Sequence, residues 1–232
     1  MLANQSRTTE SAAFHPHGPL PPEAAHLYVL RPADARLETL IRQRGVIALA
    51  GPHLSGKSSM LLRQWALLGA SPRWLPVYCA LGDLAALGEP AWYAALLNRV
   101  AQPVGISLPP PDPTLPPAQS WLAALHITLN RLPRGKTLVL LLDDAENVPP
   151  AISVGFFAML CELAERRATG AMPDRLSLVL AGTFAPGMDG PASQFDAAET
   201  VYITDASLEA LTYLIAQLGT ETRQIASDVP ER

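Results

Sequence analysis

Hydrophobic residues fall along this chain in two rhythms. The first is a set of short apolar runs: VIALA (Val46 to Ala50), RWLPVYCAL (73–81), KTLVLLLDD (136–144), RLSLVLAGT (175–183) and ETVYIT (199–204). Runs of this length, bounded by turn residues, predict strands, and the unbroken ones predict strands buried on both faces. The second rhythm lies between them, where apolar residues recur every three or four positions as on one face of a helix. Leu37, Leu40 and Ile41 mark one such helix, with Asp34 placed to cap it and Gly45 to end it. Met60, Leu61, Leu62, Trp65 and Leu68 mark a second. PAWYAALLNRVAQ, PPAQSWLAALHITLNRL, with Pro117 near its start, and ISVGFFAMLCELAERR predict three more. A last helix, DASLEALTYLIAQLG, carries Leu208, Leu211, Leu214, Ile215 and Leu218 on one face.

Strand and helix alternate five times, which predicts an α/β fold: a parallel sheet of about five strands with helices on both faces. In such sheets ligands bind just outside the carboxyl ends of the strands, so the residues that follow each strand matter most. The boundaries expected are a loose polar, Pro-rich arm over 1–25, one folded domain over 26–220, and a frayed tail over 221–232. QPVGISLPPPDPTLPP holds seven prolines in sixteen residues. It is expected to be a stiff surface loop rather than helix interior or central strand.

Composition supports one sizeable core, or one core with a small appendage. The chain has 232 residues, 49% hydrophobic and 16% charged, a globular balance rather than a disordered one. Its net charge of −4 lacks the basic footprint of a nucleic-acid binder, so no nucleic-acid partner is indicated. RQRG (42–45) and ERRATG (165–170) read as solvated helix ends. Cys79 and Cys161 lie among apolar residues with no metal or disulfide spacing, and read as reduced, buried thiols. No apolar stretch is long enough to span a membrane. The first residues lack the core of a secretory signal, so a cytoplasmic location is expected.

The stretch GPHLSGKSS (51–59) follows the first strand and opens the second helix. Gly51, Gly56, Lys57 and Ser58 fit G-x-x-x-x-G-K-[ST], the phosphate-binding loop. Glycines let the backbone curl so that its N–H groups point at phosphate oxygens. Lys57 brings a positive charge to the outer phosphates and Ser58 a hydroxyl for Mg²⁺. The helix adds the positive end of its dipole. The candidate phosphate cradle is therefore Gly51, Pro52, His53, Leu54, Ser55, Gly56, Lys57, Ser58 and Ser59, with His53 at a variable position where a solvent-facing role is expected. About 85 residues on, the third strand runs into Asp143 and Asp144. A buried strand ending in aspartate is the Walker B pattern, in which Asp143 holds Mg²⁺. Asp144 is either the general base that orients the attacking water or a group that supports the metal or caps a helix, and Glu146 is the alternative base. Thr183, at the end of the fourth strand, is placed either to sense the γ-phosphate or to hydrogen-bond the local backbone. No Ser/His/Asp or Cys/His set points to covalent catalysis.

Taken in order, YVLRPADARLETLI, GVIALAGPHLSGKSSMLLR, LVLLLDDAE, LSLVLAGTFAP and FDAAETVYITDASLEAL resemble the AAA-like ATPase domain of bacterial signal-transduction (STAND) NTPases. The likeness covers about residues 27–218. It implies a P-loop NTPase (ASCE/AAA-like) three-layer sandwich with sheet order 5-1-4-3-2. It implies ATP and Mg²⁺ as cofactors and a nucleotide-controlled switch acting on a protein partner or on self-association. Carried over by position, Ser58 and Asp143 hold Mg²⁺, Lys57 and Asp144 are catalytic, and Tyr28 to Arg31 lie near the base. Relatives place an arginine after the fourth strand, where this chain has Thr183 and Phe184, and they continue into a helical lid and a winged-helix domain. Weak hydrolysis is therefore expected. The alternative is a non-hydrolysing nucleotide-binding interaction module. A small-molecule P-loop kinase is a more distant reading, since no Arg-rich segment lies between the fourth and fifth strands. No NKxD-type motif follows a strand, which favours ATP over GTP.

Overall fold

The computed structural model describes residues 18–105, 112, 114–183, 199–204, 212 and 215–216. Its regular elements, in chain order, are α1 (Pro32–Arg42), β1 (Val46–Ala50), α2 (Lys57–Gly69), β2 (Trp74–Ala80), α3 (Glu89–Val104), α4 (Pro117–Arg131), β3 (Thr137–Asp143), α5 (Pro150–Ala168), β4 (Leu176–Gly182) and β5 (Glu199–Tyr202). Short 3₁₀ turns cover Pro22–Leu27, Leu81–Leu84 and Ala145–Asn147.

The strands form one sheet in the order β2-β3-β4-β1-β5, with every neighbouring pair parallel. Read from its other edge this is the expected 5-1-4-3-2. Successive side chains of a strand point to opposite faces, and here both faces are dry. Ile47, Leu49, Val139, Leu141, Val179, Ala181 and Val201 pack on one face with α1 and α2. Val46, Ala48, Val77, Cys79, Leu138, Leu140, Leu142, Leu178 and Leu180 pack on the other with α3, α4 and α5. Period-two alternation with both parities apolar is what makes the strand sequences read as unbroken runs. The second face is closed by edge-on aromatic contacts among Trp92, Tyr93, Phe156 and Phe157.

Three local features differ from the sequence expectations. Asp34 does not precede α1 but sits in its first turn. Pro32 sets the helical φ at the start, and Asp34 reaches back so that the Arg31 N–H donates to its Oδ2 at 2.9 Å. α3 continues through Pro103, which lies in its last turn before Gly105 turns the chain with φ 68°. A proline there forfeits one helix hydrogen bond at an end that is already short of them. Cys79 is buried while Cys161 is only half-buried, and both are free. Burial pushes the Cys79 thiol up, against the pull of Arg99, so it is protonated and unreactive at neutral pH.

The expected arm at 1–25 lies outside the described residues as far as residue 17. From there, the Leu20 N–H donates to the Ser59 hydroxyl at 2.9 Å, and Ala24 and Leu27 are buried. The tail at 221–232 and most of the last helix are likewise outside the described residues. No helix among the described residues is long and apolar enough to cross a membrane.

Candidate functional site

The parallel sheet brings the ends of β1, β3 and β4 to one edge, with β4 lying between the other two. From β1 the chain enters the loop Gly51–Gly56 and then α2, whose first residue is Lys57. The loop is tight. A Cβ on Gly51 would stand 2.8 Å from Ser55 Oγ and 3.2 Å from Ile203 Cβ. Leu54 has φ 61° and Gly56 φ 90°, left-handed conformations of the kind that curl a loop on itself. A Cβ on Gly56 would also meet Arg31 Nη2 at 2.6 Å.

Lys57 is only 6% exposed. Its ammonium folds back over the loop, donating to the carbonyls of Gly51 at 3.1 Å and Pro52 at 2.8 Å. Two of its three donors are spent on neutral acceptors, which an anion would outbid. Ser55 Oγ is buried with no hydrogen-bond partner, an orphan that a ligand in the cradle can satisfy. Pro52, His53 and Leu54 are exposed, Ser58 is half-buried, and the Ser59 hydroxyl is already held by Leu20.

Across β4, Asp143 ends β3 at 1% exposure. Both its oxygens are engaged: Tyr78 Oη donates to Oδ2 at 2.8 Å, and the Asp144 N–H donates to Oδ1 at 3.0 Å. Tyr78 reaches it because β2 and β3 run in register with Ala80 beside Asp143. Burial, then Asp143 itself, pushes the Tyr78 phenol well up, so it remains a donor. Asp144 has φ 59°, a conformation Asp tolerates better than most residues. Burial raises its carboxyl above the ordinary range, Asp143 and Glu146 add to this, and Lys57 opposes it. Lys57 and Asp144 thus lie in one electrostatic field, although 87 positions separate them in sequence.

Thr183 is half-buried beyond β4. Its N–H donates to Glu146 Oε2 at 3.3 Å, so Glu146 is engaged with the neighbouring strand end. Among the described residues, no group of three His, Cys, Asp or Glu side chains could hold a metal ion by itself.

The resemblance sets Tyr28 to Arg31 near the base, but two contacts here are not written in the sequence. Arg31 Nη1 donates to the Ser55 carbonyl at 2.6 Å, while its Nε is buried without a partner. This ties the entry to α1 onto the phosphate-loop candidate. Tyr78 reads in sequence as one more apolar strand residue. Its hydroxyl finds Asp143 only through strand pairing.

No protein-family profile matches the sequence, and no curated protein matches it. Solved structures do. A Cdc6p structure from Pyrobaculum aerophilum aligns at 22% identity over 89% of this chain and 51% of its own, with a TM-score of 0.54. The Holliday junction branch migration motor RuvB of Thermotoga maritima aligns at 16% identity over 88% of this chain and 54% of its own, TM-score 0.46. AMPPCP-bound DnaA from Aquifex aeolicus aligns at 12% identity over 92% of this chain and 56% of its own, TM-score 0.44. The chain therefore spans about half the length of the structures it resembles. Strand order, parallel pairing and the Cdc6p likeness together establish the fold as a three-layer α/β sandwich around a parallel five-stranded sheet, the fold of the Cdc6p structure.

Proposed function

We propose that this chain is the nucleotide-binding core of a Mg²⁺-dependent, weakly hydrolysing regulatory ATPase of the STAND type. In this reading it is a cytoplasmic switch whose nucleotide state controls a protein partner or self-association. The observation that carries the reading is the Lys57 ammonium, buried against the carbonyls of Gly51 and Pro52 at the head of α2.

The residues fit the expected ligands. The orphaned Ser55 Oγ and the left-handed backbone at Leu54 and Gly56 suit a loop curled around phosphate oxygens. Loop N–H groups and the first turn of α2 orient the phosphates, and Lys57 turns from the carbonyls to the anion. Ser58 and Asp143 offer hard oxygen ligands of the kind Mg²⁺ takes. Mg²⁺ is commonly held by one or two carboxylates and by phosphates rather than by a protein cage. When bound, Mg²⁺ supplies neutralisation of charge on the phosphates. Tyr78 and the Asp144 N–H hold the Asp143 carboxylate in one orientation. Asp144, its proton affinity raised by burial and by its acidic neighbours, takes a proton at its carboxylate from the attacking water.

Turnover of ATP, with and without Mg²⁺, tests the hydrolytic part. We expect slow, Mg²⁺-dependent phosphate release that Asp144→Asn abolishes while binding persists. Binding with no turnover in the wild type would favour a non-hydrolysing interaction module.

A further inference from the structure

The opposite edge of the sheet carries a second assembly of charge. Each of four adjacent strands is entered by a basic residue: Arg73 before β2, Lys136 before β3, Arg175 before β4, and Arg44 two positions before β1. The sheet order places them side by side as Arg73, Lys136, Arg175, Arg44. Backbone bonds fix this row: the Thr137 N–H donates to the Arg73 carbonyl at 3.0 Å, and the Leu138 N–H to the Arg175 carbonyl at 2.9 Å. At about 4.8 Å between strands the row spans about 14 Å. These four side chains, with Gly135, Thr137 and Asp174, line a cavity of about 340 Å³. Four cations against one carboxylate leave a local charge of +3 in a chain whose net charge is −4.

Helix dipoles do not account for the row. A cation is favoured within the last turn of a helix, and the effect fades beyond it. Arg44 is close enough to the end of α1, but Arg73, Lys136 and Arg175 lie four, five and seven residues past the ends of α2, α4 and α5. Ion pairing does not account for it either. Asp174 is shared by Arg44, in a close contact, and by Arg167 at 3.4 Å. Arg73, whose guanidinium carbon stands 5.2 Å over the Trp74 ring, has no carboxylate partner among the described residues, and neither does Lys136.

The rim is also built. Arg175 donates to the carbonyls of Leu132 at 3.0 Å, Lys136 at 3.1 Å and Leu129 at 3.4 Å, and to that of Pro133. It thereby staples the loop that presents Lys136. One arginine organises the loop, one is held by Asp174, and Arg73 and Lys136, on neighbouring strands lining the cavity, have no counter-charge among the described residues.

The geometry points to a binding site for a phosphate-bearing polyanion at this amino-terminal edge of the sheet, on the opposite side of the sheet from the loop at Gly51–Gly56. Arg and Lys together suit phosphate, the arginine fork by geometry and the lysine as a point charge. The ligand is either a small polyphosphorylated molecule or the backbone of a nucleic acid.

The test uses inorganic tripolyphosphate, titrated by calorimetry at low ionic strength. The host protein carries Lys57→Ala, so that the loop at 51–56 does not report. We expect this protein to bind, and expect addition of Arg73→Ala and Lys136→Ala to weaken binding at least tenfold, with an unchanged thermal midpoint in the absence of ligand. If that combination fails to fold, Lys57→Ala with Lys136→Gln alone carries the test. No binding by the Lys57→Ala protein, or equal affinity in the further variants, overturns the site. A single-stranded oligonucleotide in parallel separates the two sources: loss of its binding with Arg73 and Lys136 assigns the site to nucleic acid, and tripolyphosphate binding alone assigns it to a small molecule. Polyglutamate binding as tightly as tripolyphosphate would overturn the phosphate assignment.

Discussion

At the scale of single residues, the proposed nucleotide site depends on a few conformations that only certain side chains accept. Gly56 combines φ 90° with an arginine where its side chain would be. Gly56→Ala forces a left-handed alanine and displaces Arg31 from the Ser55 carbonyl. We expect it to cost about 1–3 kcal/mol, read from urea unfolding. Asp144 gives a prediction with a definite sign. Its carboxyl is raised in the folded state, by burial first and then by Asp143 and Glu146. A raised acid stabilises the fold while protonated and loses that contribution as pH climbs through its folded value. Ionised Asp144 is therefore unfavourable at neutral pH in the metal-free protein. Asp144→Asn is expected to raise the thermal midpoint at pH 7, and the gain should shrink as pH falls toward the ordinary carboxylate range. A lower midpoint at pH 7 would contradict this.

At the scale of elements, the strands of the sheet meet in register, and that register carries chemistry. Ala80 lies beside Asp143, which puts the Tyr78 hydroxyl on the Asp143 carboxylate. Tyr78→Phe leaves that buried oxygen without its donor, a loss of about 1–3 kcal/mol by thermal or urea unfolding. It should also weaken Mg²⁺-dependent stabilisation more than binding of nucleotide alone. Leu140, fully buried in β3, should cost about 2–5 kcal/mol when cut to alanine. Much of this level is legible in sequence. VIALA coincides with β1, and the other four runs contain their strands; for β1, β3 and β4, burial on both faces leaves an unmistakable apolar run. The loop at 51–56 is legible because its chemistry is local. Arg31 against Ser55 and Tyr78 against Asp143 are not, since each contact joins residues 24 and 65 positions apart and arises only from packing. Asp34 lies three residues inside the cap of α1, since Asp in a first helical turn and Asp at a cap look alike in sequence until Pro32 sets the start.

At the scale of the whole molecule, one sheet separates two charged edges. The carboxyl edge gathers Lys57, Asp143 and Asp144 with the backbone of a curled loop. The amino edge gathers Arg73, Lys136, Arg175 and Arg44. The first was visible in sequence as two motifs. The second was not, because its members are single basic residues dispersed over 132 positions, and only the strand order aligns them. The central claim concerns the first edge, and binding tests it before any question of turnover. A ligand that binds only the folded state at a hundredfold excess over its dissociation constant adds about 2.7 kcal/mol of stability. The deciding measurement is thermal unfolding of the wild type and of Lys57→Ala with saturating Mg-ATP. The account predicts a clear upward shift in the wild type that Lys57→Ala removes. No shift in the wild type, or the same shift in both proteins, would contradict it.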